Sequence, residues 1–170
     1  SISMPENQVK GFGTLTPLQK EFMEILSTLP DREQFYLAGG TALAEYYLGH
    51  RLSFDLDYFT GVENLILPTS YQIEQACNRS KLPLKVIRRF ATFVQFEVTR
   101  ENESLKIDLA LDSPYRFEPT VLCKEGIYVN DYADLRVDKL LAYFGRAEPR
   151  DAVDLFFIIQ REPAEPLLKL

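Results

Sequence analysis

The sequence has no tryptophan, a single histidine and only two cysteines in 170 residues. It nowhere approaches the run of about 18 apolar residues that a membrane-spanning helix needs, and no secretory leader pattern is visible. Cys77 and Cys123 lack metal or redox motif spacing. They read as reduced core thiols of a cytoplasmic protein, not as a disulfide. Basic charge is also scarce: 19 Lys and Arg against 25 Asp and Glu leave a net charge of −6. That balance argues against a general nucleic-acid coat, though a local basic patch can still hold RNA. With 46% hydrophobic and 12% aromatic residues, the chain can bury a core and is not a disordered polymer. The length fits one domain with a small helical appendage. Residues 1–13 carry little hydrophobic pattern and read as a loose segment, residues 14–130 as a core, and residues 131–170 as a helical hairpin packed on it.

The chain is organised around Phe35 to Phe59. This stretch predicts a strand (Phe35 to Ala38), a Gly39-Gly40-Thr41 turn, a helix from Thr41 to Leu48 stopped by Gly49, and a second strand. Strand side chains alternate faces, so Phe54, Leu56 and Tyr58 fall on one face and Asp55 and Asp57 on the other. Aspartate is depleted in strands, and two on one face have two readings: a solvated edge strand, or a divalent-metal site. Mg²⁺ takes a few carboxylate oxygens together with substrate phosphates. The turn favours the metal reading, because a helix N-terminus offers free N–H groups to an anion and glycine lets backbone approach a ligand closely. His50 reads equally as a backbone-bonded loop residue or as a neighbour of the substrate. Arg51 reads as a phosphate contact or the partner of a nearby acid.

Elsewhere the pattern alternates helices and strands. Thr16-Pro17-Leu18-Gln19 is a capped helix start, and Leu18, Phe22, Ile25, Leu26 and Leu29 follow helical spacing. Thr69-Ser70-Tyr71-Gln72 repeats the capping pattern and predicts a helix to about Ser80. Three strands are expected at Leu84–Arg88, Thr92–Thr99 and Ser104–Leu111, with Gln95 and Glu97 on a wet face. Lys81, Lys85, Arg88 and Arg89 form a small basic cluster, read as solvated surface or an RNA contact. In the third strand Asp108 faces away from Ile107, Leu109 and Leu111, while Asp112 sits at the strand end. Leu135, Leu140, Leu141 and Phe144 give the helical spacing of one final helix, closed by Gly145, and Val153, Phe156 and Ile159 predict the buried side of a second, from about Pro149 to Gln160.

Two blocks resemble a known family. Leu37-Ala38-Gly39-Gly40-Thr41-Ala42-Leu43 with Ser53-Phe54-Asp55-Leu56-Asp57-Tyr58-Phe59 resembles the nucleotidyltransferase superfamily, whose signature is a Gly-Gly or Gly-Ser turn followed by an Asp-x-Asp strand. Asp138-Lys139-Leu140-Leu141-Ala142, with Arg146 and Pro149-Arg150-Asp151-Ala152-Val153-Asp154-Leu155, narrows the likeness to the AbiEii/AbiGii toxins. On spacing alone, that second block would be a hairpin laced by surface ion pairs.

The resemblance implies an α/β (α+β) fold, a nucleotidyltransferase-like mixed sheet flanked by helices. It implies metal-dependent transfer of a nucleoside monophosphate from a nucleoside triphosphate to an acceptor, RNA such as a tRNA 3′ end, with Mg²⁺ or Mn²⁺ and a cognate antitoxin as partners. Asp55, Asp57 and Asp108 would hold metal and perform catalysis with Lys139, Asp112 being the rival third carboxylate. Gly39, Gly40, Thr41, Arg51, Lys139, Arg150, Asp151 and Asp154 would bind or orient the nucleotide. The alternatives are a binding module of the same fold without turnover, or nucleotidylation or phosphorylation of a protein or small molecule. Family members commonly continue with more helical sequence, so part of an acceptor-binding region is expected to be absent or supplied by a partner.

Overall fold

A computed structural model describes residues 9–113, 115–146 and 148–161. The element order is α1 (Pro17–Ser27), a 3₁₀ turn (Arg32–Gln34), β1 (Tyr36–Ala38), α2 (Gly39–Leu43) running on as a π-helical turn (Ala44–Leu48), β2 (Leu56–Thr60) and α3 (Ile66–Arg79). Strands β3 (Leu84–Phe90), β4 (Phe93–Arg100), β5 (Glu103–Leu111), β6 (Val121–Leu122) and β7 (Tyr128–Val129) follow, then α4 (Tyr132–Arg146) and α5 (Pro149–Arg161). The seven strands form one mixed sheet in the order β3-β4-β5-β2-β1-β7-β6. Consecutive strands β3, β4 and β5 pair antiparallel, and β5 then returns to lie parallel to β2.

One face of the sheet is the core. Val94, Phe96 and Val98 of β4, Leu105, Ile107 and Leu109 of β5, and Leu56 and Tyr58 of β2 are all buried and lie under α1 and α3. The ring of Phe22 meets that of Tyr58 at 6.5 Å. Helix α1 begins as its sequence dictates: Thr16 accepts from the Gln19 amide at 3.1 Å, while Gln19 Oε1 accepts from the Thr16 amide at 2.9 Å. Gln19 is also buried, and its Nε2 donates to the Ser53 carbonyl at 2.8 Å. That bond ties α1 to the loop before β2. Cys77 and Cys123 are free and buried, and burial pushes both thiols up to about 11.

Several sequence expectations change. Phe54 precedes β2 and is exposed, and the core face of that strand is Leu56, Tyr58 and Thr60. Thr69 does not cap α3. The helix starts at Ile66 with Pro68 in its first turn, where a missing N–H costs nothing, and Thr69 is buried inside it. Residues 9–13, expected to be loose, are pinned: the Val9 amide donates to Leu122 O at 3.1 Å, and the Gly13 amide to Glu45 Oε1 at 2.9 Å. The rest of the loose segment, residues 1–8, lies outside the described residues, as do residues 162–170 of the hairpin segment. No helix among the described residues is long and apolar enough to cross a membrane.

The largest correction concerns the hairpin. Leu141, Phe144, Val153, Phe156 and Ile159 are exposed. The buried side of α5 is Asp151, Asp154, Leu155 and Ile158. Two carboxylates therefore occupy the inner stripe that apolar periodicity assigned to Val153, Phe156 and Ile159. Accordingly, Phe156→Ser should change unfolding free energy by less than about 1 kcal/mol, whereas Ile158→Ala should cost about 2–5 kcal/mol. Urea denaturation of the two variants checks this, and the reverse order would place the wrong stripe inside.

Candidate active site

Strand β1 ends at Ala38, and the chain turns at once into α2 through Gly39, whose φ is +70°. A Cβ on Gly39 would collide with Asp57 Oδ2, and one on Gly40 with the Arg51 guanidinium. Gly39 is thus required by its positive φ and by the acid against it, while Gly40 lies against the guanidinium. Register does the rest. Ala38 pairs with Asp57 across β1 and β2, Asp57 with Asp108 across β2 and β5, Asp108 with Gln95 across β5 and β4, and Gln95 with Arg88 across β4 and β3. Directly paired residues share a face, so the turn, two carboxylates, an amide and a guanidinium form one row on the non-core face. Gln95 Nε2 donates to Asp108 Oδ1 at 2.9 Å. Asp55 stands one residue before β2, half exposed, with Arg150 Nη1 4.0 Å from its Oδ2.

Above this acidic floor stands a cationic wall built by the hairpin. Lys139 Nζ lies 2.9 Å from Asp151 Oδ1 and 2.8 Å from Asp154 Oδ2. Arg146 grips Asp151 through Nε and Nη2 at 2.9 and 3.0 Å. Arg51 grips Asp154 through Nε and Nη2 at 2.7 and 2.9 Å, and His50 Nε2 meets the same carboxylate at 2.5 Å. Floor and wall enclose a cleft of about 900 Å³, lined by Gly39, Gly40, Asp55, Asp57, Asp108 and Asp112 on one side. Arg51, Asp138, Lys139, Arg146 and Arg150 line the other.

The charges on the two sides differ in character. Burial, then the like charges of Asp108 and Asp55, push Asp57 up to about 6. Burial also raises Asp108, partly offset by the Gln95 hydrogen bond. Asp138, walled in beside Asp112 and Asp134, is likewise pushed up to about 6, burial being the main cause. Asp151 goes the other way, held down to about 2 chiefly by its bonds from Arg146. Asp154 is held well below the ordinary carboxylate range by its bonds from Arg51, His50 and Lys139, which outweigh its burial.

The structure thus brings Gly39, Gly40, Asp55, Asp57, Asp108, Arg51, Lys139 and Arg150 to one cleft. Thr41 is elsewhere: it is buried, and its hydroxyl is engaged by Ser53 Oγ at 2.8 Å and by the Asp55 carbonyl. Asp151 and Asp154 are fully buried and do not line the cleft; they hold the cations that do. Asp112 does line it, with one oxygen accepting from the Tyr36 hydroxyl at 2.5 Å and the other from the Ser113 amide at 2.8 Å. Sequence reasoning missed Gln95, Arg146 and Asp138. The latter two sit inside the charged block already singled out, and Gln95 was marked only by the wet face of β4.

Among the described residues no three acidic, histidine or cysteine side chains converge closely enough, as placed, to form a ready cage for an ion. The donor chemistry nevertheless fits a hard divalent cation, which takes oxygen ligands. Asp57 and Asp108 face each other in register, Asp55 is two residues away, and their mutual repulsion is what an ion would relieve.

Folding raises the Asp57 carboxyl to about 6, chiefly by burial. In metal-free protein this group's contribution to stability is therefore lost as pH rises from about 4 through about 6. Millimolar Mg²⁺ or Mn²⁺ should raise the melting temperature near neutral pH, and much less at about pH 4.5, where protons compete for the site. Equal shifts at both pH values in a thermal melt would count against a carboxylate site. Lys139→Met leaves two buried carboxylates short of a cation and should cost about 3–5 kcal/mol in urea denaturation.

Comparison with known proteins bears on fold and family. An uncharacterised protein of Aquifex aeolicus (strain VF5), aq_aa25, is 30% identical over 153 residues, a match covering 84% of this chain and 66% of that one. The crystal structure of JHP933 from Helicobacter pylori superposes with a TM-score of 0.62 at 20% identity, covering 87% of this chain and 65% of that chain. A second H. pylori structure, described as a candidate nucleotidyltransferase, does so with a TM-score of 0.63 at 21% identity, over 89% and 72% of the respective chains. The chain thus spans about two thirds of the length of the first two, and the two structural likenesses, at such identities, establish the fold. Residues 21–169, which hold the glycine turn, the acidic floor and the cationic hairpin, match the family described as nucleotidyl transferase AbiEii toxin of type IV toxin–antitoxin systems, and the chain belongs to that family.

Proposed function

We propose that the cleft transfers a nucleoside monophosphate from a nucleoside triphosphate to a hydroxyl of an RNA acceptor, such as a tRNA 3′ end. One observation carries this reading: a glycine turn without Cβ atoms follows Ala38, which is in register with Asp57 and through it Asp108, beneath a wall of four cations. A triphosphate needs both halves of that arrangement. Backbone N–H groups at Gly39 and Gly40 can approach its oxygens closely. Arg51, Lys139, Arg146 and Arg150 face the charge that builds on the leaving group. Asp151 and Asp154 contribute by fixing Lys139, Arg146 and Arg51 before substrate arrives, so the cations need not reorganise.

Asp55, Asp57 and Asp108 are the residues that would hold Mg²⁺ or Mn²⁺, which when bound supplies Lewis-acid polarisation of the phosphate oxygens. In the transfer, the acceptor hydroxyl oxygen bonds to the α-phosphorus and its proton passes to the Asp108 carboxylate. The bond from the α-phosphorus to the α–β bridging oxygen breaks, and pyrophosphate departs along the cationic wall. Asp108 stands in register with Asp57 on the floor of the cleft, where its carboxylate can take that proton. The toxin family also suggests a neutralising antitoxin partner, and we extend that to this chain as part of the proposal.

The test is incubation with each α-labelled triphosphate and total tRNA, with the label traced to RNA, protein or small product. Label on RNA is expected. Asp57→Asn should abolish transfer, by at least about 10³-fold, with a melting temperature no lower than that of the parent protein. Undiminished turnover in that variant would remove the reading.

A further inference from the structure

The sheet is covered unequally on the cleft side. Helix α2 contacts β1 and β2, but on β3 and β4 Lys85, Arg88 and Phe90 are exposed and Phe93 and Gln95 half-buried. Two residues along from the carboxylate row, a second row crosses the same face. Phe90 pairs with Phe93, Phe93 with Ala110, Ala110 with Phe59, and Phe59 with Tyr36. Phe90 is 61% exposed, and Phe59 lines the cleft, its ring stacked on Tyr36 at 6.3 Å. Ala110 interrupts the ring series. It leaves a notch between Phe93 and Phe59, which stand two strands or roughly 10 Å apart. The notch is two residues, roughly 7 Å, along β5 from Asp108.

We propose that this open face is the acceptor platform, on which the unpaired 3′-terminal nucleotides of an RNA stack, the last base seated over Ala110 and the preceding backbone running past Arg88. The inference rests on the transfer reading above. The glycine turn occupies one end of the row from Ala38 to Arg88, so the triphosphate takes that end and an acceptor must reach Asp108 from the other. What lies at that other end suits a single strand: aromatic faces that stack any base, with the guanidinium of Arg88 in the carboxylate row. In the row beyond, Lys85 and Lys106 flank Glu97, leaving one excess positive charge. Bases must be unpaired to enter a notch between rings. A chain of net charge −6 favours a short contact of a few nucleotides over a long duplex track.

The probe is a fluorescein-labelled single-stranded oligoribonucleotide, compared by anisotropy with its blunt duplex, alongside labelled transfer to tRNA. The parent protein should prefer the single strand. Phe90→Ser, at an exposed tip, should weaken binding and raise the KM for tRNA about fivefold or more. Ala110→Leu should do so more strongly by filling the notch, and both should leave triphosphate affinity within about twofold of the parent, as the platform lies apart from the nucleotide's end. Arg88→Gln should lower the salt slope of binding by about 0.7. Unchanged RNA affinity in Phe90→Ser and Ala110→Leu, or equal affinity for the duplex, overturns the platform. Label on protein instead of RNA overturns the acceptor class. Parent protein that transfers label to nothing removes the transfer reading itself, a result distinct from a variant that transfers with an unaltered tRNA KM.

Discussion

The site depends on two buried carboxylates. Asp151 and Asp154 lie one helical turn apart on the inner side of α5, each fully buried. Between them they engage Lys139 from α4, Arg146 from the end of α4, and Arg51 and His50 from the loop before β2. A buried ion pair is weak evidence for stability, because desolvation can cancel the attraction. What it fixes here is position. Asp154 bonds to Arg51 across 103 residues of chain, so the hairpin is clasped to the segment that carries Asp55 and Asp57. Three formal positive charges on two negative ones leave an excess, which Lys139, Arg51 and Arg146 turn toward the cleft.

Floor and wall are therefore electrostatically interdependent. Asp57 is pushed up by burial and by the neighbouring acids, and pulled back by Arg150 and Arg146 across the cleft. Without that wall, Asp57 would lose the two cations that offset its burial and its acidic neighbours, and would hold its proton to higher pH. Without the floor, the cations would have no anionic counterpart until a ligand arrived. The arrangement resembles a ligand site held open by opposed charges, and it places the excess of each sign where a phosphate with a divalent ion would cancel it.

Much of this was legible in the sequence, and the failures share a cause. The Gly-Gly turn, the Asp-x-Asp pair and the charged block near the end could be read because each consists of residue types that are costly where they stand. The inner face of α5 could not, since apolar periodicity puts Val153, Phe156 and Ile159 inside, and only the partners supplied by Arg51, His50 and α4 make burial of aspartate tolerable. Thr41 was assigned to the ligand on the assumption that it starts the helix. The helix starts at Gly39 instead, and two residues at 100° each rotate the Thr41 side chain into the interior, where Ser53 and Asp55 take its hydroxyl. Gln95 was visible as a wet-face residue, but its bond to Asp108 depends on a β4–β5 register that alternation alone does not specify.

Register also separates Asp108 from Asp112 by position. Strand β5 pairs with β2 in parallel, with Leu56 opposite Ile107 and Thr60 opposite Leu111. A slip of one residue would turn Asp108 into the core and Ile107 onto the floor, which the continuous burial of Ile107, Leu109, Leu56 and Tyr58 forbids. Asp112 lies past the last paired residue, at the level where β2 gives way to its turn. Its oxygens are engaged by Tyr36 and Ser113, and it raises the Tyr36 hydroxyl, an effect second to burial. The same apolar alternation that packs the core thus puts Asp108, and not Asp112, beside Asp57. The acidic floor follows from the hydrophobic face beneath it.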